Sequence, residues 1–396
     1  MTKPEHAPAP PSGRVLEVLG AFLKLGLTSF GGPVAHLGYF REEFVARRGW
    51  LTDHAYADLV ALCQFLPGPA SSQVGFALGM MRAGWLGALA AFVAFTLPSA
   101  IVMAVFALTA ASLDGPVADG VLHGLKVVAV AIVAQAVLGM ARTLCPDPLR
   151  ASIAVVAVIS LAIMSGPFGM VAAIVIGAVA GLVLDKDKAV PPASEMSLPI
   201  RPAQGIAALI ACTVLLLGLP FAADSGFGMF DAFYRSGALV FGGGHVVLPL
   251  LEAETVAPGA LAADTFLAGY GAAQAVPGPL FTFAAYLGAA MGGWSGALVA
   301  LIAIFLPGFL LLVGVLPFWD RFRALTAAQS MMRGANAAVV GILGAALYDP
   351  VFTSAIKGMA DFSLALTCFV LLIVWKQSPL RVVIVAAFGG VITALI

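Results

Sequence analysis

Two Pro-Gly-Pro motifs, each followed by groups that can bind an anion, are the residues of this chain best suited to chemistry. Pro67-Gly68-Pro69 precedes Ser71 and Ser72, and Pro277-Gly278-Pro279 precedes Thr282. Proline removes a backbone donor and clashes with the preceding helical turn, so each motif must divide a helix. The half-helix after each break presents free N–H groups and the positive end of its dipole, beside the hydroxyls. This arrangement suits a small anion.

Both motifs belong to a repeat that relates the two halves of the chain. Phe30-Gly31-Gly32-Pro33 is matched by Phe241-Gly242-Gly243-Gly244, and Gln64 is matched by Gln274, three residues before each Pro-Gly-Pro. Helix breakers at matching places in both halves of an apolar chain are typical of secondary transporters, which place the substrate between their repeats. The match continues downstream, where Gly84-Trp85 pairs with Gly293-Trp294, Leu97-Pro98 with Leu306-Pro307, and Gly124 with Gly334.

One cation occupies the same internal place in each copy. Lys24 precedes Phe30 by six residues, and Arg235 precedes Phe241 by six, both in apolar surroundings. A cation inside the membrane costs about 2.5–3.5 kcal/mol on insertion scales and is a functional candidate by default. The alternative is that these side chains extend from a segment end towards the interface. We expect Lys24 and Arg235 to serve the anion.

Further polar residues occur at matching or nearly matching places. Gln64 and Gln274 either donate to a substrate oxygen or cap the broken backbone. Lys126 and Asn336 correspond, which suggests that both face a cavity, although Lys126 also fits the end of its span. The candidate substrate-binding set is Lys24, Gly31, Gly32, Pro33, Gln64, Pro67, Gly68, Pro69, Ser71, Ser72, Lys126, Arg235, Gly242, Gly243, Gln274, Pro277, Gly278, Pro279, Thr282 and Asn336.

Other titratable residues are given structural roles. His36 and His245 follow the glycines at different offsets, so the repeat does not relate them, and we interpret both as structural. Asp58 is the better candidate for a proton relay. We place the remaining acidic residues near the helix breaks in interfacial loops, namely Glu42, Glu43, Glu252 and Glu254.

Composition defines the class of protein. The 396 residues are 61% hydrophobic and 10% charged, against a usual charged fraction of about 25%. The mean hydropathy is +1.03, and apolar runs of about 20 residues recur throughout, so we predict an all-α polytopic membrane protein. A net charge of zero gives no indication of nucleic-acid binding. The four cysteines are scattered and the sequence has no metal-ligand spacing, so we predict no metal and no cofactor. It has no Walker A motif, so we predict no ATPase and no other enzyme activity.

The chain divides into five parts. We predict a disordered cytoplasmic tail over residues 1–13, a first repeat over 14–184 and a polar cytoplasmic linker over 185–204. A connecting transmembrane helix over 205–221 and a second repeat over 230–396 follow. The broken segments either cross the membrane, giving about 13 segments, or re-enter, giving about nine spans with four hairpins. The sequence leaves both arrangements open.

Charged loops indicate that the second repeat is inverted. Residues 112–120 contain acids and no cation, whereas the matching region of the second copy carries Arg321, Arg323 and Arg333. Lysine and arginine accumulate in cytoplasmic loops, so matched loops lie on opposite sides of the membrane. The unmatched helix over 205–221 produces this inversion. We therefore predict a cytoplasmic N-terminus and an external C-terminus.

The order of these motifs resembles the chromate ion transporter family in its long, two-domain form. The resemblance rests on Phe30–Pro33, on Arg41-Glu42-Glu43-Phe44, on Arg47-Arg48-Gly49-Trp50-Leu51 and on Gln64–Pro69, and it extends over essentially the whole chain. It implies export of chromate and chromate resistance, with sulfate as a similar anion. The second copy has Gly244 where the first has Pro33, so we expect the two halves to contribute unequally.

The expected function is transport of a small anion. The residues alone predict an anion carrier, and the resemblance implies chromate, exported across the inner membrane by the membrane potential, a proton gradient or both. The alternatives are an uptake carrier for sulfate or another oxyanion, an anion channel, and a membrane protein without transport activity. The expected partners are the substrate and the lipid bilayer, with no nucleic acid and no ATPase subunit, and a homodimer stays open.

Overall fold

A computed structural model describes residues 11–110, 115–164, 166–184 and 200–395 of the chain. Most of the segment predicted as a disordered tail, and most of the predicted linker over 185–204, lie outside these ranges. The first helix begins at Pro11, inside the segment predicted as tail. The described residues are helices and their connections, without a β-strand, which confirms the all-α prediction.

The helices follow one another with short connections. Their bounds are α1 Pro11–Thr28, α2 Gly32–Phe40, α3 Asp53–Phe65, α4 Ala70–Ala110, α5 Pro116–Leu144, α6 Pro148–Ile163, α7 Pro167–Leu184, α8 Pro202–Ala222, α9 Gly228–Ala238, α10 Val247–Thr255, α11 Ala263–Ala273, α12 Phe283–Val315, α13 Trp319–Arg323, α14 Thr326–Ala346, α15 Thr353–Ala355, α16 Met359–Ile373 and α17 Pro379–Leu395. Two π-helical segments, Arg41–Arg47 and Leu347–Phe352, and four single 3₁₀ turns, Ala223–Ser225, Gly244–Val246, Leu280–Thr282 and Leu316–Phe318, complete them.

Glycine and proline end the helices where the sequence predicts breaks. Gly31 and Gly32 have φ angles of 102° and 76°, which residues with a Cβ rarely adopt, and they separate α1 from α2. α3 and α4 meet at Pro67-Gly68-Pro69, where Gly68 has a φ of 117°. The second repeat breaks at the equivalent glycines and prolines. The same local chemistry therefore produces four chain breaks.

A second pair of breaks turns each long helix back on itself. Gly84 has φ 64° and ψ −154°, and Gly293 in α12 has φ 64° and ψ −152°. Around the first turn, the backbones of Gly79 and Gly87 are in direct contact, although eight residues of straight helix would span about 12 Å. α4 is therefore an antiparallel pair of arms, residues 70–82 and 85–110. α12 repeats this geometry.

The broken segments of the first repeat re-enter rather than cross. The carboxylate of Glu17, early in α1, accepts hydrogen bonds from Arg48 and Trp50, which follow α2, and from Arg82 at the end of the first arm of α4. These three places therefore lie on one side of the chain breaks. α1 with α2, and α3 with the first arm of α4, form two helical hairpins whose tips are the breaks at Ser29–Gly31 and Leu66–Pro69. The alternative left open by the sequence is decided in favour of hairpins.

Helix directions show that the two repeats are inverted. Short connections make α5, α6 and α7 successive antiparallel spans, so α7 runs in the direction of α5. Gly177 of α7 contacts Gly334 and Ala338 of α14, whereas Gly181 contacts Ser330 and Gly334. A later residue of α7 therefore contacts an earlier residue of α14. The two helices are thus antiparallel. Because α14 is the repeat equivalent of α5, the second repeat is upside down, as predicted.

Five of the described helical segments are long and apolar enough to span a membrane. They are Ala70–Ala110, Pro116–Leu144, Pro202–Ser225, Leu280–Phe318 and Thr326–Ala355. Large apolar side chains such as Leu86, Phe168 and Phe221 are exposed on the outside of the bundle, where water would be unfavourable and lipid is favourable. The chain is therefore a multi-pass membrane protein, with α8 joining the repeats.

Candidate functional site

The tips of hairpins from opposite repeats meet through reciprocal hydrogen bonds. The amide of Gly68 donates to the carbonyl of Val240 at 2.8 Å, and the amide of Gly278 donates to the carbonyl of Ser29 at 3.0 Å. Val240 and Ser29 are equivalent in the repeat, as are Gly68 and Gly278, so the pair of contacts has twofold symmetry. In the first repeat, Ser29 lies twelve residues, or about 18 Å of helix, from Glu17 at the polar end of its hairpin. The breaks thus meet near the middle of the protein.

Contacts between the glycine-rich breaks close the same region. A Cβ on Gly244 would lie 3.1 Å from Cγ of Pro33, so the first break of each repeat touches the other. A Cβ on Gly68 would lie 2.9 Å from Cα of Gly308 in α12. Gly31, Gly32, Gly242 and Gly243 surround this contact and are partly or fully accessible. The broken backbone predicted as the site is therefore brought together by the fold.

The start of α4 offers hydrogen-bond donors that the protein does not use. Ser71 and Ser72 occupy the first turn after Pro69 and are 2% and 3% exposed. The Ser72 hydroxyl has no hydrogen-bond partner among the described residues. The first amides of a helix likewise lack partners within it, and the dipole places partial positive charge there. This end of α4 can bind an anion through amides and a hydroxyl.

The corresponding turn of the second repeat is chemically different. Residues 280–282 form a single 3₁₀ turn, and the Thr282 hydroxyl donates to the carbonyl of Pro279 at 2.8 Å. Phe281 and Phe283 stand where the first repeat has Ser71 and Gln73. Thr282 therefore satisfies its own backbone instead of facing a ligand. The two halves offer unequal sites.

His36 extends the polar group at the first break. Its Nε2 lies 3.2 Å from the carbonyl oxygen of Ser29, and its Nδ1 lies 3.5 Å from Oγ of Ser71. The hydroxyls of Ser29 and Thr96 are also buried and without a hydrogen-bond partner among the described residues. The sequence analysis interprets His36 as structural and does not select Ser29 or Thr96, since a lone polar residue in an apolar helix gives no signal of its neighbours. Burial without a partner is the property that identifies Ser29 and Thr96.

The glutamine at the centre is not the predicted one. Gln64 is exposed, and Gln274 is half-buried with its Nε2 unpartnered among the described residues. Gln73 is fully buried instead, and its Nε2 donates to the carbonyls of Pro67 at 3.0 Å and of Gly308 at 2.8 Å. Gln73 thus joins the first Pro-Gly-Pro tip to the second repeat.

The two predicted cations are engaged in ion pairs away from the tips. Nζ of Lys24 lies 3.5 Å from Glu43, and the Lys24 side chain is 53% exposed. Arg235 lies 2.9 Å from Glu254 and 3.0 Å from Asp231. The prediction that both glutamates lie in interfacial loops is wrong, because both lie in helical segments and pair across their hairpins. Asp58, the relay candidate, lies 3.7 Å from His54.

Lys126 and Asn336 occupy different surroundings. Nζ of Lys126 lies 3.1 Å from Oδ1 of Asp264 and lines a cavity of about 700 Å³ between α4, α5, α11 and α12. Oδ1 of Asn336 is buried without a partner among the described residues, 3.6 Å from where a Cβ of Gly242 would lie. Asn336 therefore borders the glycine break, and Lys126 faces the cavity. In the described ranges no three His, Cys, Asp or Glu side chains group as a metal site.

Comparison with known proteins agrees with this architecture. A sequence profile of the chromate transporter family matches residues 16–182 and again residues 227–392, once in each repeat. A chromate transport protein of Pseudomonas aeruginosa is 27% identical over 96% of this chain and 92% of its own length. A probable chromate transport protein of Synechococcus elongatus is 28% identical over 94% and 93%, and a chromate transport protein of Cupriavidus metallidurans is 28% identical over 91% and 87%. No solved structure matches the chain. With both repeats covered by the same profile, the chain belongs to the chromate transporter family.

Proposed function

We propose that this protein exports chromate, a small tetrahedral dianion, across the cell membrane and thereby confers chromate resistance. The observation that carries the proposal is the meeting of hairpin tips at Gly68 and Gly278, beside the start of α4, where the Ser72 hydroxyl has no hydrogen-bond partner in the described part of the chain. Broken helices are costly in lipid and persist where they line a protected site. The names of the relatives supply chromate as the anion.

The candidate site is the first break, with the second break as its weaker counterpart. The α4 amides, Ser72 and the neighbouring Ser29 and His36 lie within one buried polar group. Hydrogen bonds from amides and hydroxyls, together with the dipole of α4, stabilise a dianion without a fixed positive charge. The glycines and prolines of the predicted set shape the backbone of this region.

The membrane potential can supply the driving force. One charge crossing 100 mV gains about 2.3 kcal/mol, so a dianion leaving a negative-inside cell gains about 4.6 kcal/mol. This corresponds to a concentration ratio of about 10³. Export then requires neither an ATPase subunit nor obligatory nucleotide hydrolysis. With the N-terminus cytoplasmic and the C-terminus external, the charged loops follow the positive-inside rule.

The test is flux of chromate and sulfate in proteoliposomes that contain the purified chain, under an imposed potassium-diffusion potential and with the pH gradient clamped. We expect chromate flux that follows the sign of the potential. Sulfate flux without chromate flux would replace the substrate and keep the site. Chromate flux that ignores the potential would exclude this driving force, and rates far above those of a carrier would indicate a channel.

A further inference from the structure

A cavity with charged lining residues lies beside the helix breaks rather than at them. It has a volume of about 700 Å³ and is formed by the second arm of α4, the start of α5, the start of α11 and α12. Small side chains such as Ala107, Ala268 and Ala289 keep it open, and Asp119, His123, Lys126 and Asp264 supply its charged or titratable groups. A tetrahedral oxyanion is far smaller than this space.

The cavity reaches deep into the protein. Lys126 is ten residues after the start of α5 at Pro116, which is about 15 Å along the helix axis and half the thickness of a bilayer core. Leu125 contacts Gly271 of α11, three residues before Gln274 at the second break. An anion at Lys126 would therefore already be close to the meeting hairpins.

The ion pair between Lys126 and Asp264 in this cavity is asymmetric. The Lys126 side chain is 11% exposed, whereas its partner Asp264 is 60% exposed, and their charged atoms lie 3.1 Å apart. The cation is thus fixed and shielded, while the carboxylate reaches it from solvent. An exposed carboxylate gains little from such a pair and can leave it at low cost. The lysine ammonium has three N–H donors, so it can bind an anion larger than a carboxylate.

The other charged groups of the cavity do not compete for Lys126. His123 lies 2.7 Å from Oδ1 of Asp361, and the second oxygen of Asp361 accepts a hydrogen bond from the amide of Lys357 at 2.9 Å. Both oxygens of Asp361 are therefore occupied, one by His123 and one by the amide of Lys357 just before α16. Asp119 lies seven residues before Lys126, two turns nearer the start of α5.

We propose that Lys126 is an anion-receiving site on the path to the helix breaks and that Asp264 is its internal competitor. The inference rests on the proposed function. An entering dianion displaces the Asp264 carboxylate from Lys126, and the carboxylate turns to solvent. When the Asp264 carboxylate returns to Lys126, it competes with the anion and promotes its release. The equivalent positions of the other repeat hold Asn336 and His54, so this exchange belongs to one face of the protein.

The proposal is tested by equilibrium binding of chromate to the purified full-length chain, with sulfate as a second probe. We expect Asp264→Asn to bind chromate about threefold more tightly than wild type, because it removes a weakly held competitor. Lys126→Gln should weaken binding at least tenfold, and Lys126→Arg should retain most of it. In the double variant Lys126→Gln/Asp264→Asn, the gain from Asp264→Asn should vanish.

Asp119→Asn is the matched control, because it removes the same charge from the same cavity without touching the ion pair. We expect the change in chromate affinity caused by Asp119→Asn to be less than half of the change caused by Asp264→Asn. An equal gain in both variants would show that the total charge of the cavity sets the affinity and would overturn the proposal. Unchanged affinity in Asp264→Asn, with measurable wild-type binding, would also overturn it. Folded wild type that binds neither anion would remove the proposed function as well.

Discussion

Arg235 and Glu254 form an ion pair of 2.9 Å across one hairpin, and Lys24 and Glu43 repeat it at 3.5 Å across the equivalent hairpin. In both cases nineteen residues separate the partners. The cations therefore join the two arms of each hairpin instead of facing the tips. Lys24 and Arg235 occupy matching positions because each joins the two arms of its hairpin. Those positions therefore do not by themselves identify a substrate-binding site.

We predict that Arg235→Ala destabilises the protein more than Lys24→Ala does. Without Arg235, Glu254 and the buried Asp231 lose their cation, and breaking a buried pair costs about 3 kcal/mol or more. Glu43 retains Arg47 and Arg48 when Lys24 is removed, so that loss should stay below about 1 kcal/mol. Thermal unfolding in detergent measures both.

The variant Lys24→Ala also distinguishes a structural role of this lysine from a role in transport. If Lys24 serves only its hairpin, Lys24→Ala should keep chromate flux within about threefold of wild type. Loss of flux in a stable Lys24→Ala protein would return this lysine to the substrate site.

Alanine at the hairpin tips should strongly reduce transport. Gly68 has φ 117° and Gly278 has φ 99°, and an added Cβ would lie 2.9 Å from Cα of Gly308 or 2.8 Å from Oγ of Ser99. Backbone strain of about 1–2 kcal/mol and the clash together displace the tip. We expect at least a tenfold loss of flux in Gly68→Ala. A Cβ added to Gly344 in α14 would meet no atom of the described residues within 4 Å outside its own helix backbone, so Gly344→Ala should transport normally.

Ser72 and Thr282 should respond in opposite ways to loss of their hydroxyls. The Ser72 hydroxyl has no partner among the described residues, so Ser72→Ala should leave the melting temperature unchanged or raise it. If it binds the anion, KM for chromate rises about threefold to tenfold. Thr282→Val breaks a 2.8 Å hydrogen bond and should lower stability by about 1 kcal/mol with KM unchanged. An unchanged KM in Ser72→Ala contradicts the site.

Gln73 should matter far more than Gln64. Gln73→Ala removes a part-buried hydrogen bond to Pro67 in the first Pro-Gly-Pro tip and a buried one to Gly308 in α12, which together should cost about 2–3 kcal/mol. Gln64 is exposed, so Gln64→Ala should change the melting temperature by less than about 1 °C. Thermal unfolding of the two variants side by side checks this, and equal shifts would contradict the bridging role of Gln73.

Local chemistry explains what could be predicted about the site and what could not. Two prolines flanking a glycine, as in Pro67-Gly68-Pro69, break a helix through their own backbone chemistry, so the positions of these breaks follow from the residues themselves. The amide that reaches the centre is Gln73, because the side chain that faces α12 depends on how two repeats pack. The repeat pointed to Gln64, which has a match in Gln274 but faces outwards. Likewise, only the folded backbone shows that the Thr282 hydroxyl bonds to Pro279 while the Ser72 hydroxyl has no partner among the described residues.

The sequence by itself determined the membrane class, the repeat, its inversion and the helix breaks, because these depend on hydropathy, on charge and on proline and glycine chemistry within short segments. Tertiary structure alone decided that the broken segments re-enter, through the contacts of Glu17 with Arg82 and Arg48. It also decided that Lys24 and Arg235 pair with glutamates while Lys126 faces a cavity. Which side chains meet across distant helices depends on packing, and no local pattern contains that information.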